Sequence, residues 1–249
     1  MGEFTIVCRW SDEETSGFME DFFFVLEQVW GSGFDRNSAR SRYLDNIFGA
    51  SLIVITYLDG SPCGTQAFWR NDIGKRIAYQ ADDGAVLKEA RGRGLLQEML
   101  KRGVKILGED VLLYSYTNNK SKPSFMKLGW DVISSQPLKP LITAKSFLER
   151  CPFRVDFDYA KWFLHKRKNI SYVKRSGHYF LVIPTSRRYV DYAISSCDER
   201  TAKLFERRKN CLMLVYAGQS NVLDDQKKGN IVVKGHRGEY IPVWKCDAV

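Results

Sequence analysis

The sequence predicts an α+β fold, with a mixed, mostly antiparallel sheet flanked by helices and then a second, smaller α+β domain. Three observations carry this expectation. Asp59-Gly60 stands between two runs rich in β-branched and aromatic residues, the pattern of a tight hairpin. Arg91-Gly92-Arg93-Gly94 joins a strand-like segment to one of helical period. Pro137 and Pro140 interrupt the chain, after which helix and strand patterns resume. The 249 residues suffice for two domains, read as 1–145 and 146–249 with a connection between 137 and 156.

In order, Phe4 to Arg9 alternates as a first strand, and Ser11-Asp12-Glu13-Glu14 fits a capping box opening a helix through Phe18 to Val29. Gly31 to Gly33 ends it, and a short helix is expected near Asn37 to Asn46. Leu52 to Leu58 and Gly64 to Arg70 form the hairpin, and a further strand begins near Arg76. Leu95, Leu96, Met99, Leu100, Val104 and Leu107 recur at helical spacing, so this helix lays one face on the sheet. Val111 to Tyr116 reads as a buried strand, Pro123 to Leu128 as a helix stopped by Gly129, and a strand starts at Trp130. The second half reads as a helix near Phe157 to Lys168, strands near 171–175, 179–184 and 189–195, and a helix near Glu199 to Arg208. Strands near 212–216, 231–234 and 240–244 complete it. No sequence repeat links the halves, although their element order permits a diverged duplication.

The 44% hydrophobic content gives a packed core, and no apolar run reaches the length of a membrane span. The start MGEFTIVCRW lacks signal-peptide features, so a cytoplasmic location is expected. Cys8, Cys63, Cys151, Cys197, Cys211 and Cys246 have neither disulfide nor zinc spacing, and no metal site is expected. The net charge of +9 divides into −6 over residues 1–90 (8 Lys/Arg, 14 Asp/Glu) and +15 over the rest (30 and 15). Such a positive field attracts nucleic acid, an anionic membrane surface or small phosphorylated ligands, but the chain carries no recognisable RNA-binding motif, zinc module or helix-turn-helix.

The turn at Arg91–Gly94 narrows the choice. A glycine turn feeding a helix presents unpaired backbone N–H groups at the positive end of the helix dipole, which makes an anion cradle. A P-loop requires G-x-x-x-x-G-K-[ST], and the dinucleotide fingerprint requires G-x-G-x-x-G; neither is present.

With its neighbours, this stretch resembles the GNAT superfamily of acyl-CoA-dependent N-acetyltransferases. Arg91-Gly92-Arg93-Gly94-Leu95-Leu96 matches the pattern R/Q-x-x-G-x-G/A except at its last residue. Asn118, Ser121, Phe125, Gly129 and Trp130 match the downstream N-x-x-A-x-x-x-Y-x-x-x-G-F segment, with Phe125 where tyrosine is usual. The resemblance covers about residues 4–136 and is closest over 83–130. It implies strands four and five splaying at Val86 to Leu87, with acetyl-CoA in the gap. Pantetheine would pair near Val86, Leu87 and Lys88, and pyrophosphate would take N–H groups from Arg91, Gly92, Arg93, Gly94, Leu95 and Leu96. The Arg91 and Arg93 side chains would add charge, while Asn118, Ser121 and Phe125 would line the arm.

Acyl transfer from a thioester to an amine needs a neutral amine, an oxyanion donor and a proton for the leaving thiolate. The Leu87 N–H is the expected donor. Asp83 is the expected base, since alternation turns either Asp82 or Asp83 toward the cleft, with Tyr79 or a water chain as substitute. Phe125 has no proton to give, so Tyr114, Tyr116 or Ser124 replaces the usual tyrosine, or the thiolate leaves unaided. Trp162, Tyr172, His178, Tyr179 and Tyr192 suit a wall over an acceptor site. The expected function is an N-acetyltransferase acting on a primary amine, such as that of an amino sugar or another small molecule. The alternatives are a catalytically inactive acyl-CoA-binding regulatory protein and a basic nucleic-acid-binding protein.

Overall fold

Asp59 and Gly60 both take positive φ, 48° and 79°, the backbone of a two-residue hairpin, so β2 (Leu52–Leu58) and β3 (Ser61–Arg70) pair directly from Leu58 to Ser61. In this computed structural model, the described residues are 2–13, 16–118, 120–135, 138–140, 148, 154–165, 169–184, 190–208, 212–216, 219–220 and 230–235. The expected strand at 240–244 lies outside them. So do Cys151, Cys211 and Cys246.

The chain divides into two units, Met1–Val132 with Asp225–Arg237, and Ile133–Asp224 with Gly238–Val249. In the first, β1 (Phe4–Trp10), β2, β3 and β4 (Ala78–Val86) form an antiparallel meander. β5 (Leu112–Thr117) then lies parallel to β4, and β14 (Asn230–Lys234) lies antiparallel to β5. The expected strand at 231–234 therefore exists, but it completes the first sheet although it comes from the second half of the sequence.

Helix α1 (Ser16–Trp30) lies against β3 and β4. The amphipathic helix α3 (Leu95–Leu107) lies against β2 and β3, and on its side Phe68, Tyr79, Met99, Leu100 and Leu113 make one core with Phe125, Trp130 and Val232. The apolar run that opens β2 follows from this: Leu52 to Ile55 are all buried because helices cover both faces of the sheet.

The expected capping box needs Glu14, which lies outside the described residues. Ser11 is drawn to the sheet: its Oγ accepts from the Ser51 N–H at 3.0 Å and its N–H donates to Ser51 O at 2.8 Å. The described helix runs from Ser16. Helix α2 (Arg36–Tyr43) is capped by Asp35, whose carboxylate accepts from the N–H groups of Asn37 and Ser38. The short helix α4 (Lys122–Met126) follows β5, and β6 (Asp131–Ser135) follows α4.

The second unit has its own sheet, in the order β11-β8-β9-β10-β12-β7. These strands are β7 (Leu138–Pro140), β8 (Ser171–Arg175), β9 (His178–Pro184), β10 (Val190–Cys197), β11 (Glu206–Arg207) and β12 (Leu212–Tyr216). β13 (Gln219–Ser220) pairs with β6. Helix α5 (Phe157–Tyr159) continues as a π turn over Ala160–Leu164. The expected helix from Glu199 to Arg208 stops early: α6 covers only Glu199–Ala202, and Glu206-Arg207 joins the sheet beside β8 while the Arg208 N–H donates to Tyr172 O at 2.8 Å. Next to it the Arg208 guanidinium meets the fully buried Asp191 carboxylate, a pairing that a continued helix would lose. No helix among the described residues is long and apolar enough to cross a membrane.

Candidate functional site

Between Asp82 and Ala85, β4 carries one residue too many for its partner. Thr65 pairs with Ala85 and Ala67 with Asp82, so Asp83 and Gly84 together face Gln66. This is a β-bulge, which bends the strand that carries it. Asp83 takes φ 50°, and the Gln66 side chain holds the bulge by donating from Nε2 to Asp82 O at 2.9 Å and Ala67 O at 2.8 Å. Gly84 is required there, because a Cβ would sit 2.6 Å from Gln66 Oε1 and 3.0 Å from Leu96 Cδ1.

β4 and β5 part ahead of this bend. Their partners are Ala78 with Leu112, Tyr79 with Leu113 and Gln80 with Tyr114, and among the described residues the pairing ends there. β5 continues to Thr117 held by β14 on its other edge, with Asn230 opposite Thr117. The sheet thus opens after Gln80 rather than at Val86 to Leu87, because divergence begins before the bulge instead of at the end of the strand.

The register decides which groups face the opening. The Leu87 N–H donates to Cys63 O at 2.8 Å, so it belongs to the β3 side and is not available as an oxyanion donor. Antiparallel pairs alternate between hydrogen-bonded and non-hydrogen-bonded, and the neighbouring Gly64–Val86 pair is therefore of the second kind. The N–H and C=O of Val86 point away from β3, into the gap. Val86 replaces Leu87 as the backbone group aimed there.

Beyond Val86, a 3-10 turn over Lys88–Ala90 leads to the glycine turn. Gly92 and Gly94 have φ of 78° and 72°, and a Cβ at either would meet nothing within 4 Å, so glycine is needed for backbone conformation and not for space. The first intrahelical bond of α3 runs from the Glu98 N–H to Gly94 O, and the preceding N–H groups of Leu95, Leu96 and Gln97 lie before it, in the orphan first turn. Leu95 is buried with Cys63 and Ala90, and Leu96 packs at the edge of the main core. The arginine side chains have protein partners: Arg91 Nε donates to Val86 O at 2.9 Å, and the Arg93 guanidinium lies 5.1 Å from the centre of the Phe4 ring.

On the opposite face of β4, Arg42 Nη1 lies 3.3 Å from Asp82 Oδ2 and 3.2 Å from Asp83 Oδ2, and the Tyr43 hydroxyl donates to Asp83 Oδ2. Simple alternation would turn only one of the two carboxylates this way; the bulge turns both. Burial pushes the Tyr43 phenol well above its ordinary range, and the Asp83 charge pushes in the same direction. Tyr79 lies on the α3 side instead, packed in the core beside Trp10 with ring centres 6.2 Å apart, and burial raises its phenol also. Its ring is a core element with no access to the Asp82–Asp83 side.

Asn118 Oδ1 accepts from the N–H groups of Lys120 and Ser121 at 2.9 and 3.0 Å, so its carboxamide oxygen is spent on opening α4. Phe125 is buried edge-on against Trp130, with ring centres 4.9 Å apart. Of the substitutes for the missing tyrosine, Tyr114 is wholly buried with its hydroxyl 3.3 Å from Asn71 O, whereas Tyr116 and Ser124 are half-buried. In the second unit Trp162 is buried beside Tyr159, and the Tyr172 and Tyr179 rings meet diagonally across β8 and β9, with centres 6.1 Å apart. The Tyr192 side chain is not among those described.

Sequence reasoning missed Arg42, Tyr43, Gln66 and Gly84. Gly84 carried a signal, since a glycine after two aspartates inside a strand marks a bulge. Arg42 and Tyr43 carried none.

No protein-family profile matches the chain, and no curated protein does. Among solved structures, Eis1 from Mycobacterium abscessus is similar with a TM-score of 0.52 at 10% identity, over 92% of this chain and 73% of its own. An acyl-CoA N-acyltransferase from Pseudomonas aeruginosa has a TM-score of 0.42 at 12% identity, over 51% of this chain and 88% of its own. An acetyltransferase of the GNAT family from Staphylococcus aureus Mu50 has 0.38 at 12%, over 56% and 85%. The match that spans both units and the parted strands of the first sheet agree on one architecture, and the chain has the fold of the GNAT superfamily.

Proposed function

We propose that the first unit binds acetyl-CoA in the gap between β4 and β5 and transfers the acetyl group to a primary amine, of an amino sugar or another small molecule. The observation that carries this reading is the parting of β4 and β5 after Gln80 and Tyr114, with an orphan helix N terminus following on from β4. The Arg91 N–H, expected among the phosphate donors, already donates to Lys88 O at 3.4 Å, so the pyrophosphate takes N–H groups of Gly92, Arg93, Gly94, Leu95 and Leu96. Pantetheine runs past Val86 and Lys88, with Asn118 offering its Nδ2 and Ser121 and Phe125 flanking the arm.

In the reaction the amine nitrogen attacks the thioester carbon. Asp83 takes the proton from nitrogen, and the Val86 N–H stabilises the oxyanion. Collapse breaks the C–S bond and releases the thiolate. Tyr116, on β5 just past the last β4 partner, gives it a proton; the unaided thiolate, with a cysteine-like pKa of about 8.5, is itself an adequate leaving group.

The second unit is proposed to be a diverged second copy of the same fold. β10 is irregular against β9 between Ala193 and Ser195, and it runs parallel to β12 for three residues only. Its counterpart of the anion turn is closed by the chain itself, since the Asp198 carboxylate accepts from the Thr201 N–H at 2.7 Å. One CoA per chain is therefore expected.

A thiol-release assay over a panel of amines tests the activity. Calorimetric titration with CoA should give one site, and Gly94→Val should abolish binding because a β-branched residue is strained at φ 72°. Unchanged binding in that variant rejects the cradle. Phe125, where a proton donor is usual, favours one second reading, a catalytically inactive acyl-CoA-binding protein. One-site CoA binding with no thiol release on any amine would select it.

A further inference from the structure

Arg91 opens the glycine turn, and the simplest role for a cation at an anion cradle is to meet the phosphates. Its side chain is directed elsewhere. Arg91 Nε donates to Val86 O at 2.9 Å, and the register aims that carbonyl into the gap. The bond closes a short loop in which the Ala90 N–H donates to Leu87 O at 3.0 Å and the Leu87 N–H to Cys63 O at 2.8 Å. The end of β4 and the start of the turn are thereby tied at two places, one on β3 and one on Arg91.

We propose that Arg91 is a positioning residue: its Nε–H fixes the glycine turn relative to Val86, so that the phosphate-binding N–H groups and the Val86 N–H address two ends of one ligand at a set spacing. The role rests on the acyl-CoA reading of this gap, and it uses the N–H at one place along the side chain rather than the positive charge. Two consequences follow from the chemistry. The Val86 carbonyl already has a donor, so the ligand is held at Val86 chiefly through the N–H. A glutamine, whose Nε2 lies the same number of bonds from Cα as arginine Nε, can replace the function; a lysine, which has a methylene at that place, cannot.

The test compares Arg91→Gln, Arg91→Lys and Arg91→Met in the full chain by calorimetric titration with CoA at two salt concentrations. Arg91 is exposed, and thermal unfolding of each variant checks that the fold is kept. The glutamine variant should bind within about threefold of the original. Lysine and methionine should each lose about tenfold, the upper end of what removing one ordinary hydrogen bond costs. The salt dependence should be alike in the original and glutamine proteins, since no phosphate contact is lost. Lysine binding as well as arginine, with glutamine and methionine both weak, would overturn the proposal and assign Arg91 to the phosphates. Absence of CoA binding in the original chain would reject the acyl-CoA reading itself, an outcome distinct from either.

Discussion

Tyr43 shows how much one buried phenol decides. Its ring is fully enclosed beside Phe22, its hydroxyl serves Asp83, and burial raises its pKa well above 10. The unfolded chain releases this proton near pH 10 while the folded chain keeps it, so stability is complete below pH 10 and declines as pH rises. Tyr57, raised by burial and by Asp21, and Tyr79 act in the same direction. Urea titrations between pH 9 and 11 should show this decline. Tyr43→Phe should flatten it by up to about 1.4 kcal/mol per pH unit, one proton's share. An unchanged slope would mean that Tyr43 ionises readily in the folded protein. Neither Tyr43 nor its neighbour Arg42 stands out in the sequence, because 40 residues separate Tyr43 from Asp83 and only the folded sheet brings them together. Gly92 and Gly94 are legible, since their role is a property of their own backbone.

Among the elements, α3 shows the closest fit between sequence and structure. Its apolar spacing predicts the face that meets the sheet, and residues 95–107 are helical as expected. Gly103 in its interior weakens an isolated helix, yet here it lets the helix approach Phe68. A Cβ at that position would lie 2.1 Å from Phe68 Cε2. Gly103→Ala should therefore destabilise the protein by about 3 kcal/mol despite the better helix propensity, read as a lower urea midpoint. Gly17→Ala, with nothing near its Cβ, should leave the midpoint unchanged or raise it. A stabilised Gly103→Ala would show that the ring moves away at little cost. The bulge of β4 is less legible, because period-two alternation describes a regular strand and an inserted residue reverses it. Asp82 and Asp83 stand out as a carboxylate pair, but their common direction depends on that one irregularity.

For the whole molecule, the route of the chain matters more than the list of elements. Ile231–Lys234 is recognisable as a strand, but a short run of β-branched residues does not say which sheet it joins. It joins the first, opposite Leu113–Tyr116, with the Lys234 Nζ donating to Leu128 O at 3.1 Å and Arg76 Nη2 to Gly235 O. Meanwhile β7, which follows β6 directly, lies in the second sheet against β12. A chain cut after residue 145 lacks β14 and bares the edge of β5, so it should aggregate, and a peptide of residues 225–237 should restore solubility. A soluble, monomeric 1–145 fragment would contradict this. The same route constrains the order of events during synthesis. The first sheet stays unfinished until a segment more than a hundred residues downstream of β5 has left the ribosome, a wait on the order of ten seconds at ordinary elongation rates. A growing chain of this kind presents a raw strand edge to chaperones for that whole interval, and the speed of translation through residues 118–234 becomes a determinant of yield.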